Sequence, residues 1–529
     1  MKKGGARVGA RLLHRKKERT IMKSMERKNG LFTLTGQARE SLTGSGYYNG
    51  DLAPTSFEKR NWNAYNIACC WVGMNVCIPA YQMASSAITM GLNWWMALLL
   101  VLLGNLIILI PIQLNSSVGT KYGIPFPVFA RLSFGLRGAQ IPSILRSILG
   151  AGWTGILIWT GAESLQVAMC VLFPAWGDFE AGQWIMFAIF WALNIGIAYA
   201  GDSVMKKFES LSAPLLGIVC GALFIWAVYA TFRSGYGFAA PLTSVSIEME
   251  DSFGTVFVAC LVANIAYYST WALNIPDLSR YAKSQKAQMR GQLYGMPTSM
   301  FAIAFIGVYV TGASQLVFGE AMWDPNTIIE AIGSPVAAVF GALGISLATL
   351  TTNVTTNILP PSNGIANLFP KKIDFRKGVL ITGLIVLIMR PWNLVSDPSG
   401  YIYDWLGTYG ALTGPVASIF IYDYFFLRKQ RLSLSELYQE RESRYWYKYG
   451  FNFRALLAWA AAIALPVLGK FVPALEVFSL YGWIVSFLLG FVFYPLFMLG
   501  EKKSILSAEE EMELTEESQD GGQEKQSAY

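Results

Sequence analysis

The chain has 529 residues, of which 53% are hydrophobic and only 14% are charged. Soluble domains carry about 25% charged residues, so this chain has too little charge to cover a water-facing surface. Its net charge of +7 comes from residues in loops and tails between long apolar runs, which argues against a nucleic-acid-binding protein and for a multi-pass membrane protein.

The chain begins with a basic tail, residues 1–60, which we expect in the cytoplasm. Its lysines and arginines cluster before residue 20 without an accompanying apolar stripe. This pattern favours a solvated tail over a membrane-surface or targeting segment. Translation starting at Met22 or Met25 is the other alternative.

Twelve apolar runs follow, with lengths suited to helices that cross a hydrocarbon core of ~30 Å. We place these spans at 64–90, 95–118, 140–172, 182–200, 207–230, 254–276, 295–318, 334–359, 378–396, 404–427, 454–471 and 475–499. The predicted fold class is therefore an all-α membrane protein, with a transporter domain over residues 61–500.

The loops alternate in charge along the chain. Lysine and arginine dominate on one side, as at Arg280 and Lys283, whereas acids dominate on the other, as at Glu248 and Asp251. The exceptions on the acidic side are Arg233, Arg390 and Lys470. The positive-inside rule then places both termini in the cytoplasm, and we expect a plasma-membrane (bacterial inner-membrane) protein.

Two spans are interrupted near their middles. The first span contains Gly73 and Pro79, and the sixth contains Pro276 beside Asn274. A proline alone is often only a kink, because it removes one backbone donor. Here the interruptions lie five spans apart, so residues 64–230 and 254–427 form an inverted repeat and 454–499 adds two helices. Matching discontinuous helices in such a repeat predict a substrate site at the membrane midplane.

The eighth span is unusually polar, with Thr351, Thr352, Asn353 and Asn357. Such residues often only join helices, and Asn353 and Asn357 are spaced to share a helical face. Their number favours a second role, because hydroxyls and freed carbonyls are oxygen ligands for a small cation. The only histidine, His14, lies in the tail, so an imidazole proton relay within the membrane is excluded.

Trp153 lies near the middle of the third span and Trp271 near the interruption of the sixth. An intramembrane tryptophan is more often packing than ligand contact, but two such rings could stack on a planar substrate. Residues 501–529 are rich in glutamate, serine and glutamine, and we expect a disordered cytoplasmic tail. No phosphate-binding glycine loop or zinc-protease motif is present, so we do not expect an enzyme.

Several long motifs resemble those of the nucleobase–cation symporters, also called the purine–cytosine permease family. They are Asn115-Ser-Ser-Val-Gly-Thr-Lys-Tyr-Gly-Ile-Pro-Phe-Pro-Val-Phe-Ala-Arg131, Leu273-Asn-Ile-Pro-Asp-Leu-Ser-Arg280, Ser284-Gln-Lys-Ala-Gln-Met-Arg-Gly-Gln292 and Arg390-Pro-Trp392. The resemblance covers about 62–500 and is stronger to bacterial hydantoin and allantoin permeases than to cytosine permeases. It implies a LeuT-type inverted repeat of five plus five helices followed by two more.

The resemblance also implies roles for particular residues. Trp153 and Trp271 would sandwich a flat heterocycle, and Asn357 would bond its amide edge. Further residues of the same site would be Cys77, Leu157, Thr270 and Leu273. Leu406 would be an outer gate. Sodium would be bound by carbonyls of Gly73, Val76 and Ala348 and by hydroxyls of Thr351 and Thr352.

Two positions depart from the family pattern. Hydantoin-type and allantoin-type members carry glutamine where this chain has Leu157, and usually an amide where it has Cys77. A site without those amides discriminates less strongly between substrates that differ in their polar edges. A nucleobase or related heterocycle with fewer polar edges is therefore compatible with the site.

The sequence thus predicts a monomeric symporter that imports a nucleobase, hydantoin, allantoin or related heterocycle by alternating access. The coupling ion would be sodium, with no other cofactor. Protons are the alternative, through Glu163 on the third span. Two other functions stay open: a heterocycle-binding receptor, and a LeuT-type transporter of another small solute.

Overall fold

The computed structural model describes residues 23–369, 372–393 and 405–518, with only the backbone described at 202–216 and 355. Helices dominate these residues, as the predicted fold class requires. They also include one small sheet, made of β1 (Met25–Lys28), β2 (Leu31–Leu34) and β3 (Thr515–Glu517).

The helices fall into two halves along the chain. Those of the first half are α1 (Gly36–Leu42), α2 (Ala64–Asn75), α3 (Ile78–Thr89), α4 (Trp94–Tyr122), α5 (Phe126–Phe134), α6 (Gln140–Leu172), α7 (Gly182–Ala200) and α8 (Asp202–Arg233). Those of the second half are α9 (Ala240–Ser244), α10 (Phe253–Tyr267), α11 (Ser269–Asn274), α12 (Pro276–Ser279), α13 (Gln285–Phe318), α14 (Pro325–Ile332), α15 (Pro335–Asn353), α16 (Leu359–Leu368), α17 (Phe375–Ile388), α18 (Gly407–Ile421), α19 (Phe453–Leu468), α20 (Glu476–Leu480), α21 (Gly482–Met498) and α22 (Ala508–Leu514). Two π-helical segments, Val354–Ile358 and Tyr422–Leu427, follow α15 and α18.

Most of these helices are apolar and long. Within the described residues, seven helical runs are long and apolar enough to cross a membrane, or nine if each of two bent pairs counts as one span. Two shorter apolar helices, Gly217–Arg233 and α21, coincide with the predicted fifth and twelfth spans. Helix α17 lies at the predicted ninth. These elements are consistent with twelve spans, although residues 394–404 at the ninth and tenth lie outside the description.

The first span is broken where its sequence predicts an interruption. Helices α2 and α3 meet at 59°, because Val76 and Cys77 leave the helical conformation. The amide of Cys77 donates to the carbonyl of Asn75 at 2.9 Å, so the carbonyl of Gly73 loses its usual helical donor. Pro79 follows in the first turn of α3, where its missing N–H removes no helical hydrogen bond.

The sixth and eighth spans are also irregular. In the sixth, Tyr268 separates α10 from α11, and Ile275 separates α11 from α12. In the eighth, the π-helical segment Val354–Ile358 widens the helix between α15 and α16. Single π-helical turns are rare and are frequent at functional sites.

The helices pack as two groups beside the last three long helices. The scaffold group comprises α6, α7, α15, α16 and α17, which pack mainly against one another. The central group comprises α2, α3, α4, α10, α11, α12 and α13, joined through α4 and α13. Helix α18 packs against α21, and α21 against α19. The scaffold and central groups meet at the interrupted spans.

The described parts of the two tails are ordered, which corrects the expectation of a disordered C-terminal segment. Strand β1 pairs antiparallel with β2 and parallel with β3, so that Met25 faces Thr515. Met25 and Leu34 are buried against the helices. Composition alone missed this, because each segment has few apolar residues and they become buried only when the two chain ends meet. Residues 1–22 and 519–529 lie outside the description.

Charged contacts attach the C-terminal segment to the helices. Arg428 Nε lies 3.0 Å from Asp423 Oδ2 in a fully buried ion pair, and the Arg428 guanidinium also donates to the carbonyl of Ser504. Tyr122 Oη donates to Glu511 Oε1 at 3.2 Å. Acidic residues that look like a solvated tail in the sequence are therefore partners for groups at the end of the helical bundle.

Candidate functional site

A small cavity lies where the broken first span meets α6, α11 and the π-helical segment of the eighth span. Its volume is about 40 Å³. The wall is formed by Met74, Cys77, Pro79, Trp153, Leu157, Tyr267, Tyr268, Thr270, Trp271, Thr352, Thr356 and Asn357. Residues of four separate elements therefore surround one space at the first-span break.

Six of the predicted substrate residues lie in this wall: Cys77, Trp153, Leu157, Thr270, Trp271 and Asn357. Leu273 does not. Its side chain is fully buried in the core two residues beyond Trp271, and neighbours on a helix separated by two positions point away from each other. The substrate roles of the other six stay predictions.

Trp153 is held by aromatic rings on one side of the cavity. Its ring centroid lies 5.2 Å from Tyr267, at an interplanar angle of 78°, and 6.0 Å from Trp405. A Cβ at Gly152 would lie 2.3 Å from the Trp405 ring, so the glycine makes room for that ring beside Trp153. The indole plane is thereby oriented before any ligand arrives.

Trp271 lies in the same wall on α11. Its ring centroid lies 5.8 Å from that of Trp71, at 58°, and Trp71 is fully buried. Both tryptophans are thus supported from behind by aromatic side chains, while each contributes to the cavity. Such preorganised rings lose little conformational freedom when they bind a planar ligand.

A polar contact that the sequence analysis missed joins the two interruptions. Tyr268 Oη donates to Asn75 Oδ1 at 2.6 Å, and Asn75 Nδ2 donates to the carbonyl of Met296 and to Ser299 Oγ, each at 2.9 Å. Tyr267, beside it, places its hydroxyl 3.4 Å from Cys77 Sγ. The sequence feature that could have predicted this contact is position, because Asn75, Tyr267 and Tyr268 lie directly beside the two helix breaks.

The π-helical segment separates the two asparagines of the eighth span. Asn357 lies in the cavity wall, and its backbone carbonyl accepts from Thr154 Oγ1 at 3.0 Å. Asn353 instead donates to the carbonyl of Thr154 at 3.1 Å and to Asn194 Oδ1 at 2.9 Å. The π-helical segment begins directly after Asn353 and includes Asn357. Asn353 joins helices and Asn357 faces the cavity.

The predicted sodium ligands lie at the first-span break, which holds Gly73 and Val76, and on α15 of the eighth span. Thr351 Oγ1 donates to helix carbonyls, at 2.8 Å from Ala348 O and 3.0 Å from Leu347 O. A hydroxyl that donates its proton in this way keeps its lone pairs for a cation. Thr352 shares the cavity wall with Met74, which lies between Gly73 and Val76 on the broken span. Neutral oxygens are the chemical type of ligand that a monovalent cation accepts, and sodium binding stays a prediction.

Leu406 is fully buried at the start of α18 and lies outside the cavity wall. Its neighbour Trp405 contacts Trp153 directly. The outer-gate role of Leu406 stays a prediction, because residues 394–404 before it lie outside the description.

Residues 54–486 match a family described as permease for cytosine/purines, uracil, thiamine, allantoin. Among curated relatives, an allantoin permease of Bacillus subtilis is 36% identical, over 85% of this chain and 93% of the relative. The purine-uracil permease NCS1 of Arabidopsis thaliana is 35% identical, over 87% and 79%.

Solved structures show the same fold. An inward-facing structure of Mhp1 is 26% identical, covers 86% of this chain and 94% of its own, and has a TM-score of 0.71. A second Mhp1 structure, described as a nucleobase-cation-symport-1 family transporter in a closed conformation with bromovinylhydantoin bound, is 23% identical, covers 88% and 99%, and also has a TM-score of 0.71. The helices therefore adopt the LeuT-like fold that the resemblance implied, and the chain is a multi-pass membrane protein belonging to the family of permeases for cytosine, purines, uracil, thiamine and allantoin.

Proposed function

We propose that this protein is a sodium-coupled symporter that imports a nucleobase or related heterocycle by alternating access. The observation that carries the proposal is the cavity at the first-span break, where Trp153, Trp271 and Asn357 meet in a member of this permease family. The relatives named as allantoin and purine-uracil permeases support this class of substrate.

The side chains of the cavity wall indicate which class of substrate the site suits. Two indole rings offer flat apolar faces, and the Asn357 amide offers a donor NH2 group and an acceptor carbonyl oxygen. Leu157 and Cys77 offer no amide, so the site can bond fewer polar edges of a substrate than one with glutamine at the first position and an amide at the second. Uracil and purines are therefore proposed substrates alongside allantoin and hydantoins.

The coupling ion follows from the oxygen groups near the cavity. Thr351, Thr352 and Ala348 on the eighth span, with Gly73 and Val76 at the break, supply neutral oxygens suited to sodium. A cation bound there would join the scaffold and central groups and favour the substrate-binding arrangement. The paired strands β1 and β3 put both described chain ends on one side, which supports an even number of spans. The alternating loop charges support cytoplasmic termini in the plasma membrane.

The proposal is tested by uptake of radiolabelled uracil, allantoin and hydantoin into proteoliposomes. We expect concentrative uptake of at least one compound when a sodium gradient alone is imposed, and none when a pH gradient alone is imposed. Concentrative uptake driven by pH alone would refute sodium coupling. Saturable binding without accumulation under either gradient would instead identify a receptor.

Leu157 provides a test of substrate selectivity. It is buried in the cavity wall, so Leu157→Gln places an amide against the bound heterocycle. We expect uptake of allantoin and hydantoin to rise relative to uracil by roughly fivefold, because one net hydrogen bond contributes about 1 kcal/mol. Initial rates across the three substrates measure the ratio, and Leu157→Met controls for shape without adding an amide. An unchanged ranking in both variants would contradict the assignment of this position.

A further inference from the structure

A second polar layer lies beyond the cavity, towards the end of α6 that follows Arg131 and Arg137. Arg146 precedes Trp153 by seven residues on α6, which is two helical turns or about 10 Å along the axis. Asn274 follows Trp271 by three residues on α11, which is about one turn. Both residues therefore lie on the cavity-facing sides of their helices, between the cavity and the basic loops.

The two side chains bond across the boundary between the scaffold and central groups. Arg146 Nε donates to Asn274 Oδ1 at 2.9 Å, and both side chains are buried. The carboxylate of Asp277 attracts the guanidinium and accepts from the amide of Phe126 at 2.8 Å. Asn274 and Asp277 thus form one fixed side of this contact, and Arg146 forms the other.

The guanidinium also has an unused donor. Among the described residues, Nη1 of Arg146 has no hydrogen-bond partner although it is buried. A Cβ at Gly150 would lie 2.5 Å from this nitrogen, so the glycine leaves room for it one turn nearer to Trp153. A buried donor without an acceptor costs about 1–3 kcal/mol, or more for a charged group. This nitrogen is therefore ready to bond an acceptor that arrives from the cavity.

We propose that Arg146 is a second, transient binding position for carbonyl oxygens of the substrate on its release path, and that its bond to Asn274 closes this path. The proposal rests on the proposed transport function. A departing heterocycle would offer its carbonyl oxygen to Nη1, and separation of the scaffold and central groups would break the contact with Asn274. Arg146 would then affect release more than the initial binding of substrate.

The first experiment separates binding from turnover. Wild type, Arg146→Gln, Arg146→Lys and Asn274→Ala are compared for equilibrium binding of radiolabelled uracil and allantoin and for initial transport rates. We expect Arg146→Gln to bind within about twofold of wild type but to transport more than tenfold slower, with partial rescue in Arg146→Lys. Unchanged transport, or an equal loss of binding and transport in both arginine variants with lower thermal stability, would overturn the proposal.

The second experiment follows the closure itself through Cys77, which lies in the cavity wall. The other cysteines, Cys69, Cys70, Cys170, Cys220 and Cys260, are replaced by serine, and inside-out vesicles are treated with a membrane-impermeant maleimide. We expect Asn274→Ala to accelerate Cys77 labelling several-fold. Asn115→Ala is the matched control, because Asn115 donates to the Ala272 carbonyl at 2.7 Å within the central group. Equal labelling in wild type and Asn274→Ala would overturn the closure.

These measurements also separate the proposal from the function on which it rests. If wild-type protein neither binds nor transports any heterocycle, the proposed function fails, whereas the labelling comparison still decides whether Arg146 and Asn274 close the path. If wild type transports and the variants behave as wild type, only the Arg146 proposal fails.

Discussion

Replacing Thr351 and Thr352 together by alanine should abolish the stimulation of uptake by sodium. Both threonines lie on α15, where Thr351 Oγ1 lies 2.8 Å from Ala348 O. Thr352 shares the cavity wall with Met74 of the broken first span. A polar group in contact with a charged partner contributes about 1.5–3 kcal/mol to the binding free energy. Each lost hydroxyl should therefore raise the half-saturating sodium concentration roughly ten- to hundredfold. The measurement is initial uptake in proteoliposomes across a sodium titration.

Thr382→Ala is the control for the loss of a buried hydroxyl elsewhere in the scaffold group. Its hydroxyl donates to the carbonyl of Gly378 at 2.9 Å on α17, away from the cavity wall. This variant should keep the wild-type dependence on sodium. Uptake by the double variant that still responds to sodium as wild type does would disprove the ligand assignment. Uptake driven only by a pH gradient would turn attention to Glu163.

Removing either stacking ring should weaken substrate binding strongly. Stacking of a base on an aromatic side chain contributes about 1–3 kcal/mol, so Trp153→Ala and Trp271→Ala should each raise the dissociation constant roughly 5- to 150-fold. Both rings lie in the cavity wall and are supported from behind by Trp405 and Trp71, respectively. Binding of radiolabelled uracil and allantoin to purified protein measures the effect.

Phenylalanine at the same positions should preserve a large part of the affinity, because a planar ring remains. Trp159→Ala is the matched control, since Trp159 packs with Trp184 and Trp392 at centroid distances of 5.6 and 5.8 Å and lies outside the cavity wall. Its affinity should equal that of wild type. If Trp153→Ala and Trp271→Ala both bind and transport normally, the two rings serve packing and the substrate site lies elsewhere.

The sequence by itself determined the membrane class, the approximate limits of the spans and the break in the first helix. Each of these depends on local chemistry. Apolar length decides whether a helix can cross a bilayer, and Pro79 can stand only near a helix start without losing a backbone hydrogen bond. Long family motifs then identified the fold and placed Trp153, Trp271 and Asn357 in one site.

Only the tertiary structure decided which side chains meet across those breaks. Two hydrogen bonds, from Tyr268 to Asn75 and from Arg146 to Asn274, join residues more than a hundred positions apart. A local sequence pattern therefore cannot predict them. The pairing of β3 with β1 likewise arises from packing between distant elements. Periodicity describes one helix at a time, whereas the cavity exists only where several helices are interrupted together.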